Sequence, residues 1–301
     1  MDPEFKLPNF LIVGAAKCGT TTLHYLLSKN PDIFMAKQKE LKFFCCPEID
    51  KQINGKGASR ALNNRVRYIN EYKKHFKDAV NFKAVGETSP HYLYYYANSI
   101  KRIHKHLGDI PIFIILRNPV DRAFSLYSHL RRDSREHRTF ENVLRLEQQN
   151  IKNNFEFIWH FKRSGFYYNQ VKAYKDEFSQ VTVYIYEDWA NNLHGLANAI
   201  SESLGLSKIE YTEKAKLNIG GIPRINWLND FYNSRLVKFL QRVENKLFSD
   251  FGLIKNLRNS NLEKRYMDPA TKVELEDYFK KDVEKLSKYL EVNLSEKWFK
   301  K

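Results

Sequence analysis

Residues 14–22 read Gly14-Ala15-Ala16-Lys17-Cys18-Gly19-Thr20-Thr21-Thr22, placing two glycines, a lysine and three hydroxyls side by side. Glycines let a backbone approach an anion, amide hydrogens at a helix start point at it, and the helix dipole favours negative charge. Lys17 adds a point charge, and the threonine hydroxyls add donors. The order is not that of a Walker A loop, in which lysine follows the last glycine and directly precedes Ser/Thr. Here Lys17 comes before Gly19. The chemistry implied is the cradling of a phosphate-like anion by a P-loop-like segment that departs from the ATP pattern.

A kinase or hydrolase of the usual kind wants a carboxylate for Mg²⁺ at the end of a neighbouring strand. The strongest strand pattern, over 110–116, ends instead in Arg117. A guanidinium there suits a second phosphate held by a charge-assisted fork, or it pairs with an acidic neighbour such as Asp121. Ser125 would lie on the following helix within reach of the same anion. His129 follows it at helical spacing on the same face, and imidazole titrates near neutrality. No cysteine or histidine pairs stand at zinc spacing, and no metal is expected.

These residues need elements to hold them. Residues 9–13 form a short apolar run that ends at Gly14, the pattern of a buried parallel strand. Leu23, Leu26 and Leu27 recur at helical spacing over 20–29, and Asn30-Pro31 stops that helix. Further strands are predicted over 82–85 and 181–186, and helices over 97–107, 120–132, 140–149 and 165–178. Residues 51–65 are polar and glycine-bearing and read as a loop. Beyond residue 223 only helical patterns occur, the last over 269–290. Strands alternating with helices predict an α/β fold: one domain, a central parallel sheet flanked by helices, and a helical C-terminal third.

With 301 residues, 43% hydrophobic, the chain can bury one large core. No run approaches the length of a membrane-spanning helix. Residues 1–5 are polar and read as a cloning remnant, leaving 6–301 as the domain, and a piece cut from a longer protein is the expectation. Cys18, Cys45 and Cys46 cannot all pair, so a reducing, cytoplasmic setting is expected. The formal net charge of +15 favours anionic partners. The basic residues are scattered and no nucleic-acid module is recognisable, so a nucleic acid is not the expected partner.

Residues 14–22, the segment from Leu116 to His129, and Gly165-Phe166-Tyr167 ahead of a helix together resemble the sulfotransferases that use PAPS (3′-phosphoadenosine 5′-phosphosulfate). The resemblance is closest to the branch holding the heparan sulfate and many bacterial sulfotransferases. It implies that Lys17, Cys18, Gly19, Thr20, Thr21 and Thr22 wrap the 5′-phosphosulfate, with Lys17 neutralising charge on the bridging oxygen. Arg117 and Ser125 would hold the 3′-phosphate, and Tyr167 would sit beside the nucleotide. A loop over 220–224 would close on it, with Gly221 and Arg224 in contact. PAP would be the product, and no metal would be required.

An acceptor hydroxyl or amine must lose a proton as it attacks sulfur, so a base is needed. Glu40, in Lys39-Glu40-Leu41-Lys42-Phe43-Phe44, resembles the segment carrying the catalytic glutamate of the heparan sulfate branch. His129 is the second candidate and Glu87 a third. Glu40 could instead form a salt bridge with Lys42 or Lys17. Thr88 stands where that branch carries lysine after the glutamate, which counts against a glycan acceptor read by that lysine. The acceptor could be a glycan, a small metabolite or lipid, or an acyl chain on a carrier protein. The competing readings are a P-loop-like kinase or hydrolase and a non-catalytic nucleic-acid-binding protein.

Overall fold

The computed structural model describes residues 6–51, 54–211, 221–247 and 253–300. Strand β1 (Phe10–Gly14) is buried at every position, as a strand must be when helices cover both faces of its sheet. It is joined by β2 (Ile33–Met35), β3 (Ala84–Thr88), β4 (Ile112–Leu116) and β5 (Val181–Ile185). Their order is β2-β3-β1-β4-β5, and every pairing is parallel. All the side chains of β4 are at most 1% exposed. Each such large apolar residue stabilises the fold by roughly 1.5–3 kcal/mol. The edge strand β5 is only half-buried.

β1 has β3 on one side and β4 on the other. Where strand order reverses in this way, a crevice opens beyond the carboxyl ends of the strands, and ligands bind there in open α/β sheets. The loop after β1 and Arg117 after β4 both stand at that crevice. The main helices are α1 (Thr20–Leu27), α2 (Tyr96–Leu107), α3 (Pro119–Arg132), α4 (Tyr168–Glu177), α5 (Leu193–Ser203) and α6 (Pro269–Leu290). The Asn118 side chain caps α3 by accepting from the Val120 N–H at 2.9 Å, and Pro119 occupies its first turn. Leu275, Phe279, Val283 and Leu286 give α6 a buried stripe that seats the C-terminal third on the domain.

The expected α/β architecture is present, with local differences. β2 was not anticipated, because three residues carry no period. Residues 51–65 are not simply a loop: Ala58–Asn63 is helical, within a segment tied to distant chain by Asn54 donating to the Asn153 carbonyl at 2.7 Å. Residues 222–223 pair with 262–263 as two short antiparallel strands, so the C-terminal third is not wholly helical. The helix expected from 165 begins at Tyr168, where Asp282 of α6 accepts from the N–H groups of Tyr167 and Tyr168 at 2.8 and 3.2 Å. Residues 1–5 lie outside the described residues.

The sheet leaves no room at Gly86, where a Cβ would lie 2.2 Å from the Phe10 ring. Gly86→Ala is expected to destabilise the protein by about 1–3 kcal/mol through overpacking. Phe10→Leu should recover part of that loss in the double variant. Urea midpoints measure both, and additive losses would contradict the contact.

Candidate active site

A cavity of about 690 Å³ opens at the crevice, lined by the β1 loop, α3, and the segment that carries Glu40. Of the residues singled out from sequence, Lys17, Gly19, Thr20, Thr21, Thr22, Glu40, Arg117, Ser125, His129 and Gly221 line it. Gly19 precedes α1 with φ 77°, in the left-handed region where a Cβ is disfavoured. A Cβ there would also meet the Tyr186 ring at 3.0 Å. That ring carries the Arg117 guanidinium at 5.1 Å from its centroid, a cation–π contact. Arg117 Nη1 also donates to the Lys17 carbonyl at 3.3 Å, joining the ends of β1 and β4. The ion pair with Asp121 that the sequence left open is not among those of the described residues.

Lys17 has φ 70°, strained for a residue with a side chain. Burial first, then Arg132 and Arg117, lower its pKa to about 8, with Asp133 and Glu40 opposing. The pocket therefore disfavours its own cation until an anion arrives. Ser125 and His129 share the cavity-facing side of α3, as their spacing predicts.

The two proposed bases differ in what their lone pairs already hold. Arginine can only donate, so the Arg132 Nη2 contact at 2.9 Å makes His129 Nδ1 an acceptor. The proton of the neutral ring then sits on Nε2, which lies 3.7 Å from Asp133. Burial, followed by Lys17 and Arg132, lowers the His129 pKa to about 4. Glu40 has φ 64° and is bonded to Lys39 at 2.8 Å, not to Lys42 or Lys17. Burial acts to raise its pKa, but Lys39, His91 and Lys42 outweigh it and hold the carboxyl below the usual range. Glu40 is thus ionised, and it lines the cavity together with the β1 loop.

Several expected contacts lie elsewhere. Cys18 is buried, and its thiol is pushed up to about 12 by that burial. Tyr167 is fully buried behind the site, where its hydroxyl donates to the Arg117 carbonyl at 3.0 Å. It supports the arginine and does not line the cavity. Arg224 is exposed and faces Glu263 at 3.8 Å, also outside the lining. Residue 220 of the proposed closing loop lies outside the described residues. Glu87 is fully buried and accepts from the hydroxyls of Tyr72 and Tyr92 at 2.7 and 2.9 Å. It braces the floor and has no access to an acceptor.

The sequence reading missed Lys42, His91, Arg132 and Arg135 as lining residues. Lys42 was legible in part, two residues after Glu40, while Arg132 and Arg135 follow His129 beyond the recognisable motif. It also missed a clamp on Arg117. Glu187 accepts from the Asn118 N–H at 2.9 Å and from Trp298 Nε1 at 3.0 Å, and Asn118 Nδ2 donates to the Trp298 carbonyl at 2.6 Å. No local pattern links residues so far apart in sequence.

A crevice that gathers cations at a helix start and sets an ionised carboxylate within electrostatic reach of them suits an enzyme that moves an anionic group between two molecules. A sequence model described as the sulfotransferase family matches residues 8–210, and the chain belongs to that family. A crystal structure of a sulfotransferase from Alicyclobacillus acidocaldarius is similar over 96% of this chain and 98% of its own, with 31% identity and a TM-score of 0.76. The membrane-associated sulfotransferase kil1 of Dictyostelium discoideum is 29% identical over 121 residues, 40% of this chain and 22% of that protein. Human bifunctional heparan sulfate N-deacetylase/N-sulfotransferase 2 is 29% identical over 133 residues, 42% of this chain and 13% of that protein. The chain thus matches less than a quarter of the length of either curated relative.

Anion affinity should follow Lys17. Most of its charge is present at neutral pH and is lost as pH rises through about 8. Sulfate does not titrate in this range, so calorimetric titration with sulfate should show weakening affinity across it. Lys17→Arg is expected to flatten that profile, and an unchanged profile would contradict the assignment.

Proposed function

We propose that this member of the PAPS-dependent sulfotransferase family transfers a sulfuryl group from PAPS to an acceptor hydroxyl or amine by in-line displacement. The observation that carries the reading is the meeting, in one cavity, of the β1 loop with Lys17, of Arg117 with Ser125, and of ionised Glu40. Lys17, the start of α1 and the threonine hydroxyls suit the 5′-phosphosulfate. Arg117 and Ser125 suit the 3′-phosphate that separates this donor from ATP.

In the reaction the bond from sulfur to the bridging phosphate oxygen breaks as the acceptor's oxygen or nitrogen bonds to sulfur. PAP leaves with the bridging oxygen, and Lys17 neutralises the charge that builds there. Glu40 takes the acceptor's proton. A carboxylate with a low pKa is a weak base, which suits a loose transition state in which the proton departs late. Its freedom to accept favours it over His129, whose Nδ1 is occupied by Arg132. His129 then serves to order Arg132 at the cavity wall. A nucleotide kinase is the less favoured reading, because β4 ends on Arg117 where a metal-binding carboxylate would be needed.

The test is transfer of label from PAPS to a panel of acceptors in excess EDTA. Full transfer is expected without metal, whereas strict Mg²⁺ dependence would contradict the mechanism. Glu40→Gln should lower turnover by about 100-fold or more with PAP affinity retained. His129→Gln should cost roughly tenfold or less. The reverse ranking would move the base to His129.

A further inference from the structure

The large apolar side chains of this protein are mostly buried, but two successive helices beside the cavity reverse the pattern. On Asn226–Tyr232 the buried residue is Asn229, at 1% exposure, while Trp227 and Phe231 are 71% and 54% exposed. Residues two apart stand on opposite sides of a helix, so both aromatic rings point away from the side that Asn229 buries. On Arg235–Leu247 Val237 is buried, and Leu236, Phe239 and Leu240 form a stripe at helical spacing that is exposed to solvent. The two helices are in contact. Single exposed apolar residues are ordinary, whereas a set of five on adjoining helices marks a contact surface.

The inner side of this layer is fixed to the site. Asn229 Nδ2 donates to the carbonyls of Arg131 and Arg132 at 3.2 and 3.1 Å, and Asn233 Nδ2 donates to the Arg132 carbonyl at 2.9 Å. Asn226 Oδ1 accepts from Arg131 Nη2 at 2.8 Å. These bonds close the end of α3, whose last turn carries His129 and Arg132 into the cavity lining. The apolar face is thus the outer side of a layer that caps the cavity wall.

Charge says what covers it. Between residues 221 and 240 the charged side chains are Arg224, Arg235 and Lys238 against Asp230 alone, all exposed, and the whole chain carries a net +15. Arg224 has Glu263 at 3.8 Å, and Asp230 has His137 at 3.8 Å. A second copy of this face would set one basic rim against another, which is repulsive. Side chains as exposed as Trp227 and Leu236, at 71% and 64%, project from their helices and do not line a groove. Projecting Trp, Phe and Leu bordered by Lys and Arg suit a fluid anionic surface, in which a helix lies without spanning it. No described helix is long and apolar enough to cross a membrane.

We propose that the helices Asn226–Tyr232 and Arg235–Leu247 dock the enzyme on an anionic lipid surface. Trp227, Phe231, Leu236, Phe239 and Leu240 enter the boundary between headgroups and acyl chains, and Arg235 and Lys238 meet lipid phosphates. Docking there holds the cavity beside the bilayer, because the same layer closes the end of α3. The contact stands apart from the PAPS reading, and its test needs no nucleotide.

The test is co-flotation of the full chain with vesicles of phosphatidylcholine alone and of equimolar phosphatidylcholine and phosphatidylserine. Binding to the mixed vesicles is expected to be tighter by about tenfold or more, and to weaken as salt is raised. Trp227→Ser combined with Phe239→Ser should weaken it by about tenfold or more. Arg235→Gln combined with Lys238→Gln should remove most of the preference for the anionic vesicles. Both double variants should keep wild-type affinity for PAP, and where one does not, its single substitutions carry the same expectation. The surface is overturned if the wild type binds neither vesicle, binds both equally, or is matched by the Trp227 and Phe239 variant. A lipid-free dimer that hides this face would give the first of these results.

Discussion

Two cations with no carboxylate in ion-pair contact among the described residues, Lys17 at the end of β1 and Arg117 at the end of β4, set the terms for the rest of the site. They are held together by a hydrogen bond from the Arg117 guanidinium to the Lys17 carbonyl. Burial and the neighbouring arginines lower the Lys17 pKa to about 8. Such a cluster is unfavourable in isolation and is relieved by an incoming anion, so binding and charge compensation are one event. Glu40 is shaped by the same field, since the lysines around it keep its carboxyl ionised.

The scaffold fixes these charges from behind. Parallel strands bring β1 and β4 to a common edge, and the reversal of strand order opens the crevice beside them. Arg117 is then held by elements far from it in sequence. Tyr167 bonds its carbonyl, and Glu187 and Trp298 fix the adjacent Asn118. The C-terminal third, which has no recognisable chemistry of its own, helps to position Arg117 through the contacts of Trp298 with Asn118 and Glu187. Preorganisation of this kind spares the enzyme reorganisation during transfer.

What was legible in the sequence was what local rules govern. The apolar runs of β1 and β4, the glycine-bearing turn and the cap of α3 are written in short windows, and the strand–loop–helix unit follows from them. Ser125 and His129 share a helix face because helical spacing requires it. What was not legible depends on packing across the chain. Tyr167 sits one layer behind the cavity, and Glu87 is sealed by the hydroxyls of Tyr72 and Tyr92. Neither fact can be read from residue type.

The central claim is that the β1 loop and Arg117 together form a site for a nucleotide with two separate anionic groups. Calorimetric titration of PAP and of adenosine 5′-phosphate into the wild-type protein and Arg117→Ala tests it most directly. The account predicts that the wild type prefers PAP by roughly 10–100-fold, the worth of a charge-assisted contact to the 3′-phosphate, and that Arg117→Ala removes the preference. Equal affinities in the wild type, or a preference that survives the substitution, would contradict it.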